Sequence, residues 1–220
     1  MLSTTHQVML ATAVALLATL LFFEKKGSTA GVLAAKTPLS ALFLAAALTL
    51  PAPNPQYFHW ILAGLVCGLV GDLALALPGR VAFRIGLAAF LAGHLCYVAA
   101  FWIFLPARFW PPFIWLPLAA GALVVWFWLK PHLGKMKIPV ALYIVVITIM
   151  MGTGWLASIT AALPAPAGWL IFPGALMFYF SDLFVARTRF VAPGFINRLL
   201  GLPMYYAGQF LLAFSVAAVG

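Results

Sequence analysis

The chain has 220 residues, 66% hydrophobic and 7% charged, with a formal net charge of +9. A soluble domain carries about 25% charged residues, so this composition excludes a soluble globular fold and indicates one polytopic membrane domain over residues 1–220. The basic residues are scattered through short loops rather than gathered in one stretch, which argues against nucleic acid and suits lipid headgroups and topology.

Apolar runs predict eight spans, at roughly 7–22, 30–50, 57–77, 82–104, 112–129, 138–161, 168–187 and 199–219. Each is near the ~20 residues that cross a bilayer as a helix. Runs this long exclude the short alternating strands of a barrel, and only helices then satisfy the backbone in lipid. The expected fold class is all-α. The first span reads as the shortest, and no basic segment precedes it, so no cleavable signal is expected. Turn chemistry separates the spans: Glu24 to Gly27, Pro51 to Pro55, Pro78-Gly79, Pro106, Pro111-Pro112, Lys130 to Lys137, Pro164 to Gly168 and Pro193-Gly194.

Charge alternates from loop to loop. The first, third, fifth and seventh loops hold Lys25, Lys26, Arg80, Arg84, Lys130, Lys135, Lys137, Arg187, Arg189 and Arg198, whereas the others and both termini hold only Arg108. The positive-inside rule then puts both termini outside and the basic loops in the cytoplasm, as expected of a multi-pass protein of a bacterial inner membrane.

The spans contain few ionisable groups. Of the three acidic residues, Glu24 lies in a loop, while Asp72 and Asp182 lie inside apolar segments. A charge near the bilayer centre costs roughly 2.5–3.5 kcal/mol on insertion scales, so such a residue usually lines a site. Each aspartate is about five residues from the cytoplasmic end of its span, or ~7–8 Å of helix rise. Lys36 lies about six residues into the second span from the same side, and Tyr205, Tyr206 and Gln209 are six to ten residues into the eighth. His94 is near the middle of the fourth. Shared depth on separate helices points to one site, with Asp72 and Asp182 as partners. Separate helix-pair contacts are the alternative.

Other residues read as structural. Cys67 and Cys96 read as small core residues. His6, His59 and His132, with Trp60, Trp102, Trp110, Trp115, Trp155 and Trp169, read as interfacial. A catalytic zinc needs three protein ligands, and only one histidine is deep, so no metal or other cofactor is expected. A weak internal repeat is also present. Gly64, Gly71 and Asp72 correspond to Gly174, Ser181 and Asp182, and Gly86, Gly93 and His94 to Gly201, Gly208 and Gln209. That spacing suggests a parallel four-plus-four duplication.

Five short patterns occur in order along these spans: Lys36-Thr37-Pro38, Gly71-Asp72, Gly93-His94-Leu95-Cys96-Tyr97, Ser181-Asp182-Leu183-Phe184-Val185-Ala186 and Tyr205-Tyr206-Ala207-Gly208-Gln209. Together they resemble the YhhN-like family of integral membrane lysoplasmalogenases, from the second span to the eighth. In one departure, Thr37 separates Lys36 from Pro38, where the family tends to have Lys directly before Pro. The resemblance implies hydrolysis of the vinyl ether bond of a lysoplasmalogen, a lysophospholipid, to a fatty aldehyde and a glycerophospho-base.

Such a bond is cleaved by protonation of the outer vinyl carbon, followed by water capture of the oxocarbenium ion. This needs a protonated carboxylic acid and a second group that stabilises the cation and orients water, as in two-carboxylate glycoside hydrolysis. Asp72 and Asp182 suit that pair, in either order. Lys36 suits an ion pair or the substrate phosphate, and His94 a proton shuttle or a water ligand. Tyr205, Tyr206 and Gln209 suit positioning of water or a glycerol hydroxyl. Ser181 suits a supporting hydrogen bond, because this chemistry has no acyl intermediate. The competing reading is a proton-coupled transporter or lipid-binding protein that uses the same aspartates, for which broken helices would be expected.

Overall fold

The computed structural model describes residues 3–105, 111–160 and 163–219. Eight long helices cross the described chain: α1 (Thr4–Lys26), α2 (Thr29–Thr49), α3 (Pro55–Ala76), α4 (Arg80–Trp102), α5 (Pro112–Leu129), α6 (Lys137–Ile159), α7 (Ala165–Ala186) and α8 (Phe195–Ser215). All eight are long and apolar enough to span a membrane, and no strand occurs among the described residues. The protein is an all-α polytopic membrane protein. Pro106, Arg108 and Trp110 lie outside the described residues.

The helices extend past their apolar runs because their ends are built from polar and proline chemistry. Ser3, Ser28 and Asn54 cap α1, α2 and α3 by accepting the backbone N–H of His6, Gly31 and Tyr57. Proline opens α3 and α5, where the missing N–H costs nothing. Gly27 closes α1 at φ 67°, a left-handed conformation that favours glycine. The first span is therefore not the shortest. The α1 helix runs for 23 residues because Ser3 starts it early and Glu24-Lys25-Lys26 prolong it, whereas α5 has 18. At its C-terminal end α7 continues as a π-helix over Arg187–Val191. Pro38, Pro117, Pro173 and Pro203 all lie inside unbroken helices.

One core joins α1 to α4 with α6 to α8. The α5 helix is peripheral, buried only at Ile114, Leu118 and Leu129. The glycines of the spaced pattern fall at equivalent close approaches in two hairpins. A Cβ on Gly86 would lie 3.4 Å from the Gly71 carbonyl oxygen, and one on Gly201 would lie 3.5 Å from that of Ser181. Likewise, a Cβ on Gly93 would meet the Gly64 carbonyl at 3.2 Å and one on Gly208 the Gly174 carbonyl at 2.9 Å. Small residues let α3 and α4 approach each other backbone to backbone, and α7 and α8 do so at the corresponding positions.

Some expected placements change. His6 is buried, bridging Ser3 and Thr49 Oγ1 at 2.6 and 3.2 Å and so tying the start of α1 to the end of α2. Cys67 and Cys96 are free and half-buried, not core. Trp60, Trp102 and Trp169 are exposed, while Trp115 and Trp155 are partly buried against the bundle.

Candidate active site

The site begins on α2. Lys36 and Ser40, four residues apart, share one face of the helix. Opposite them, α3 presents Asp72, whose side chain is 2% exposed. Lys36 Nζ lies 3.1 Å from Asp72 Oδ1. Ser40 Oγ and Tyr205 OH donate to Oδ2 at 2.6 and 2.7 Å. Desolvating an isolated carboxylate costs several kcal/mol, so a buried one persists only with partners on its lone pairs. Asp72 has three donors from α2 and α8.

A chain of hydrogen bonds stands behind them. Tyr97 OH donates to Gln209 Oε1 at 2.6 Å, and Gln209 Nε2 donates to Tyr205 OH at 3.1 Å. Tyr206 OH contacts Ser40 Oγ at 3.1 Å. The absent side chain at Gly68 is what admits this chain. A Cβ there would stand 2.5 Å from Gln209 Nε2 and 3.2 Å from Tyr205 OH.

Asp182 on α7 has a separate donor set. Its Oδ2 accepts Tyr143 OH at 2.6 Å and lies 3.1 Å from His94 Nε2. The buried His94 Nδ1 has no hydrogen-bond partner among the described residues. A buried N–H without an acceptor is the more costly orphan, so the hydrogen belongs on Nε2, which donates to Asp182. Asp182 is 14% exposed, against 2% for Asp72. The Phe178 ring links the two networks, 4.6 Å from His94 and 5.2 Å from Tyr205.

The two aspartates do not hydrogen-bond to each other, but they line one cavity of about 30 Å³ together with Lys36, Phe90, Ser181 and Tyr205. A water needs roughly 10–15 Å³, so there is room for about two. Asp182 also lines a second cavity of about 60 Å³, whose walls are otherwise almost entirely apolar, among them Phe83, Phe90, Ile144 and Phe190. Phe90 and Leu75 are common to both. Asp182 thus faces polar space and apolar space at once.

All eight expected site residues fall in or beside this region. Lys36 pairs with Asp72. Ser181 is 1% exposed and donates to the Phe178 carbonyl at 2.7 Å, a bond within its own helix. Tyr205 binds Asp72 directly, whereas Tyr206 acts through Ser40 and Gln209 through Tyr205. The repeat crosses over here. His94 of the first hairpin reaches Asp182 of the second, while the corresponding Gln209 reaches Asp72 through Tyr205. Sequence reasoning missed Ser40, Tyr97 as a donor, and Tyr143. Ser40 was visible as the residue one helical turn after Lys36. Tyr143, six residues beyond the start of α6, matched the depth of the aspartates.

The YhhN family model matches residues 31–216. The chain is 34% identical over 183 residues to a protein named lysoplasmalogenase from Mycobacterium tuberculosis, covering 78% of this chain and 64% of that one. It is 36% identical over 166 residues to lysoplasmalogenase TMEM86B of Rattus norvegicus, covering 74% and 64%, and 34% identical over 177 residues to human TMEM86B, covering 80% and 72%. The match therefore spans just under two thirds of the mycobacterial and rat proteins. No solved structure matches the chain.

Proposed function

The chain belongs to the YhhN family, and from that premise we propose that it hydrolyses the vinyl ether bond of a lysoplasmalogen, releasing a fatty aldehyde and a glycerophospho-base. The observation that carries the proposal is the position of Asp182, on the wall between an apolar cavity and a water-sized cavity that also holds Asp72.

We assign Asp182 as the proton donor. With Tyr143 and His94 both donating to Oδ2, a proton on Oδ1 is free to face the substrate. The vinyl end of the alkenyl chain enters the apolar cavity, whose volume of about 60 Å³ holds only the first carbons of the chain, and this brings its outer vinyl carbon to that oxygen. Proton transfer to carbon makes a C–H bond and leaves an oxocarbenium ion on the inner carbon. Asp72, paired with Lys36 and bonded by Ser40 and Tyr205, supplies the negative charge that stabilises the cation and orients a water between the aspartates. Water adds to the inner carbon and its proton returns to Asp182. The hemiacetal then breaks its C–O bond to give aldehyde and alcohol. No covalent intermediate is needed, in keeping with a Ser181 hydroxyl bonded to its own helix and lacking a base.

Purified protein given lysoplasmalogen therefore releases aldehyde, and an ester-linked lysophospholipid of the same chain length is cleaved slowly or not at all. Equal rates on both substrates would make the protein a general lysophospholipase and return Ser181 to the centre. We also place the basic loops in the cytoplasm. A cysteine introduced near Pro131 is then shielded from an impermeant thiol reagent in intact cells, while one placed after Val219 is labelled. The opposite labelling would invert the topology.

A further inference from the structure

Beside the apolar cavity lies a second polar cleft that the chemistry above does not use. Arg80, Arg84, Lys135 and Arg189 converge on it from the start of α4, the α5–α6 connection and the π-helix after α7, enclosing about 270 Å³. Phe83 and Phe190 line this cleft and the apolar cavity alike. Their rings meet edge to face at 5.9 Å, and the Arg189 guanidinium lies 4.2 Å from the Phe83 ring centroid. Two aromatic rings thus form the shared wall between the basic cleft and the cavity that reaches Asp182.

The four cations have no acidic side chain to pair with. The chain has three acidic residues. Asp182 is taken up by hydrogen bonds from His94 and Tyr143, and Asp72 and Glu24 by ion pairs with Lys36 and Arg198. The cations beside the other cavity are likewise engaged, Lys36 and Arg198 in these ion pairs and Arg187 with Asn197. Loop charge alone would account for cations scattered along the cytoplasmic face. It does not account for four of them, from three separate connections, around one cleft that adjoins the reaction cavity.

We propose that this cleft binds the phosphodiester of the substrate lysophospholipid, with Arg84 and Arg189 as its principal ligands. Arginine offers a planar fork of donors matched to phosphate oxygens. Arg189 follows Asp182 by seven residues, about 10 Å of helix at 1.5 Å per residue. This is of the order of the glycerol stretch between the phosphate and the vinyl ether. Phosphate held there directs the alkenyl chain past Phe83 and Phe190 into the apolar cavity. The proposal rests on the lysoplasmalogen reading for its ligand, but binding can be measured without turnover.

The test is calorimetric titration of the full-length protein in detergent with a saturated alkyl-ether lysophosphatidylcholine, which has no cleavable bond, and with the matching alkylglycerol, which lacks phosphate. The wild-type protein should prefer the phosphate-bearing lipid, and Arg84→Gln with Arg189→Gln should weaken its binding roughly tenfold or more. Alkylglycerol binding should persist, which controls for folding, and Arg84→Lys with Arg189→Lys should retain part of the preference. An undiminished preference in the glutamine variant would overturn the proposal, as would a wild-type protein indifferent to phosphate, leaving the cations a topological role only. Aldehyde release from lysoplasmalogen is followed on the same wild-type preparation. Lost preference without any wild-type hydrolysis upholds the cleft and overturns the enzymatic reading, and hydrolysis with unchanged preference does the reverse.

Discussion

Asp182→Asn removes aldehyde release, with a fall of roughly 10²–10⁴-fold, the contribution typical of a positioned acid or base. The substitution preserves the shape of the side chain and an oxygen that accepts Tyr143 and His94, so the packing of α7 against α4 and α6 is retained. What it lacks is a transferable proton. Thermal unfolding of the purified variant should therefore match the wild type while turnover is lost. Near-wild-type turnover in a properly folded variant would eliminate Asp182 as the proton donor.

The second large effect separates charge from chemistry at Asp72. Lys36→Met leaves a carboxylate 2% exposed without its cation, and breaking a buried pair on one side costs about 3–5 kcal/mol. Solvent screening offers little relief, because the lysine side chain is itself 5% exposed. Replacing both partners, Lys36→Met with Asp72→Asn, removes the unpaired charge. Ser40 and Tyr205 still have an oxygen to bond, so most of the lost stability returns. Activity does not return, because no carboxylate then faces the oxocarbenium ion. Denaturation midpoints and aldehyde release from the two single variants and the double variant separate these effects. Additive loss of stability would show that Lys36 and Asp72 are not coupled, and an active double variant would remove Asp72 from the mechanism.

The existence and number of the spans were legible because long apolar runs have no other stable form in lipid. Their ends were less so. Helices begin at Pro55, Arg80, Ala165 and Phe195, two to four residues before the apolar runs, because proline in the first turn of α3 and α7 and glycine just before α4 and α8 set a helix start without regard to hydropathy. The site was legible in depth but not in azimuth. Charge and helix rise placed Lys36, Asp72, Asp182, Tyr205 and Gln209 at comparable levels. Helices apolar around most of their circumference give no face from which to infer which lysine meets which carboxylate, so the Lys36–Asp72 pair emerged only from packing. Tyr143 was hidden for the same reason, one aromatic residue among the apolar residues of α6, although its depth pointed to it. The repeat was visible as glycine spacing because close backbone approach requires small residues at fixed positions. That His94 and Gln209 each serve the other hairpin's aspartate depends on how the hairpins dock, which no local pattern encodes.

Proton transfer from a carboxylic acid to carbon is the central step of the proposed mechanism, and hydrolysis in deuterium oxide tests it most directly. A two-carboxylate mechanism predicts slower turnover in deuterium oxide than in water, with deuterium from solvent bonded to the carbon next to the carbonyl of the newly released aldehyde. Aldehyde released at an unchanged rate, with no deuterium at that carbon when analysed before it can exchange, would contradict it.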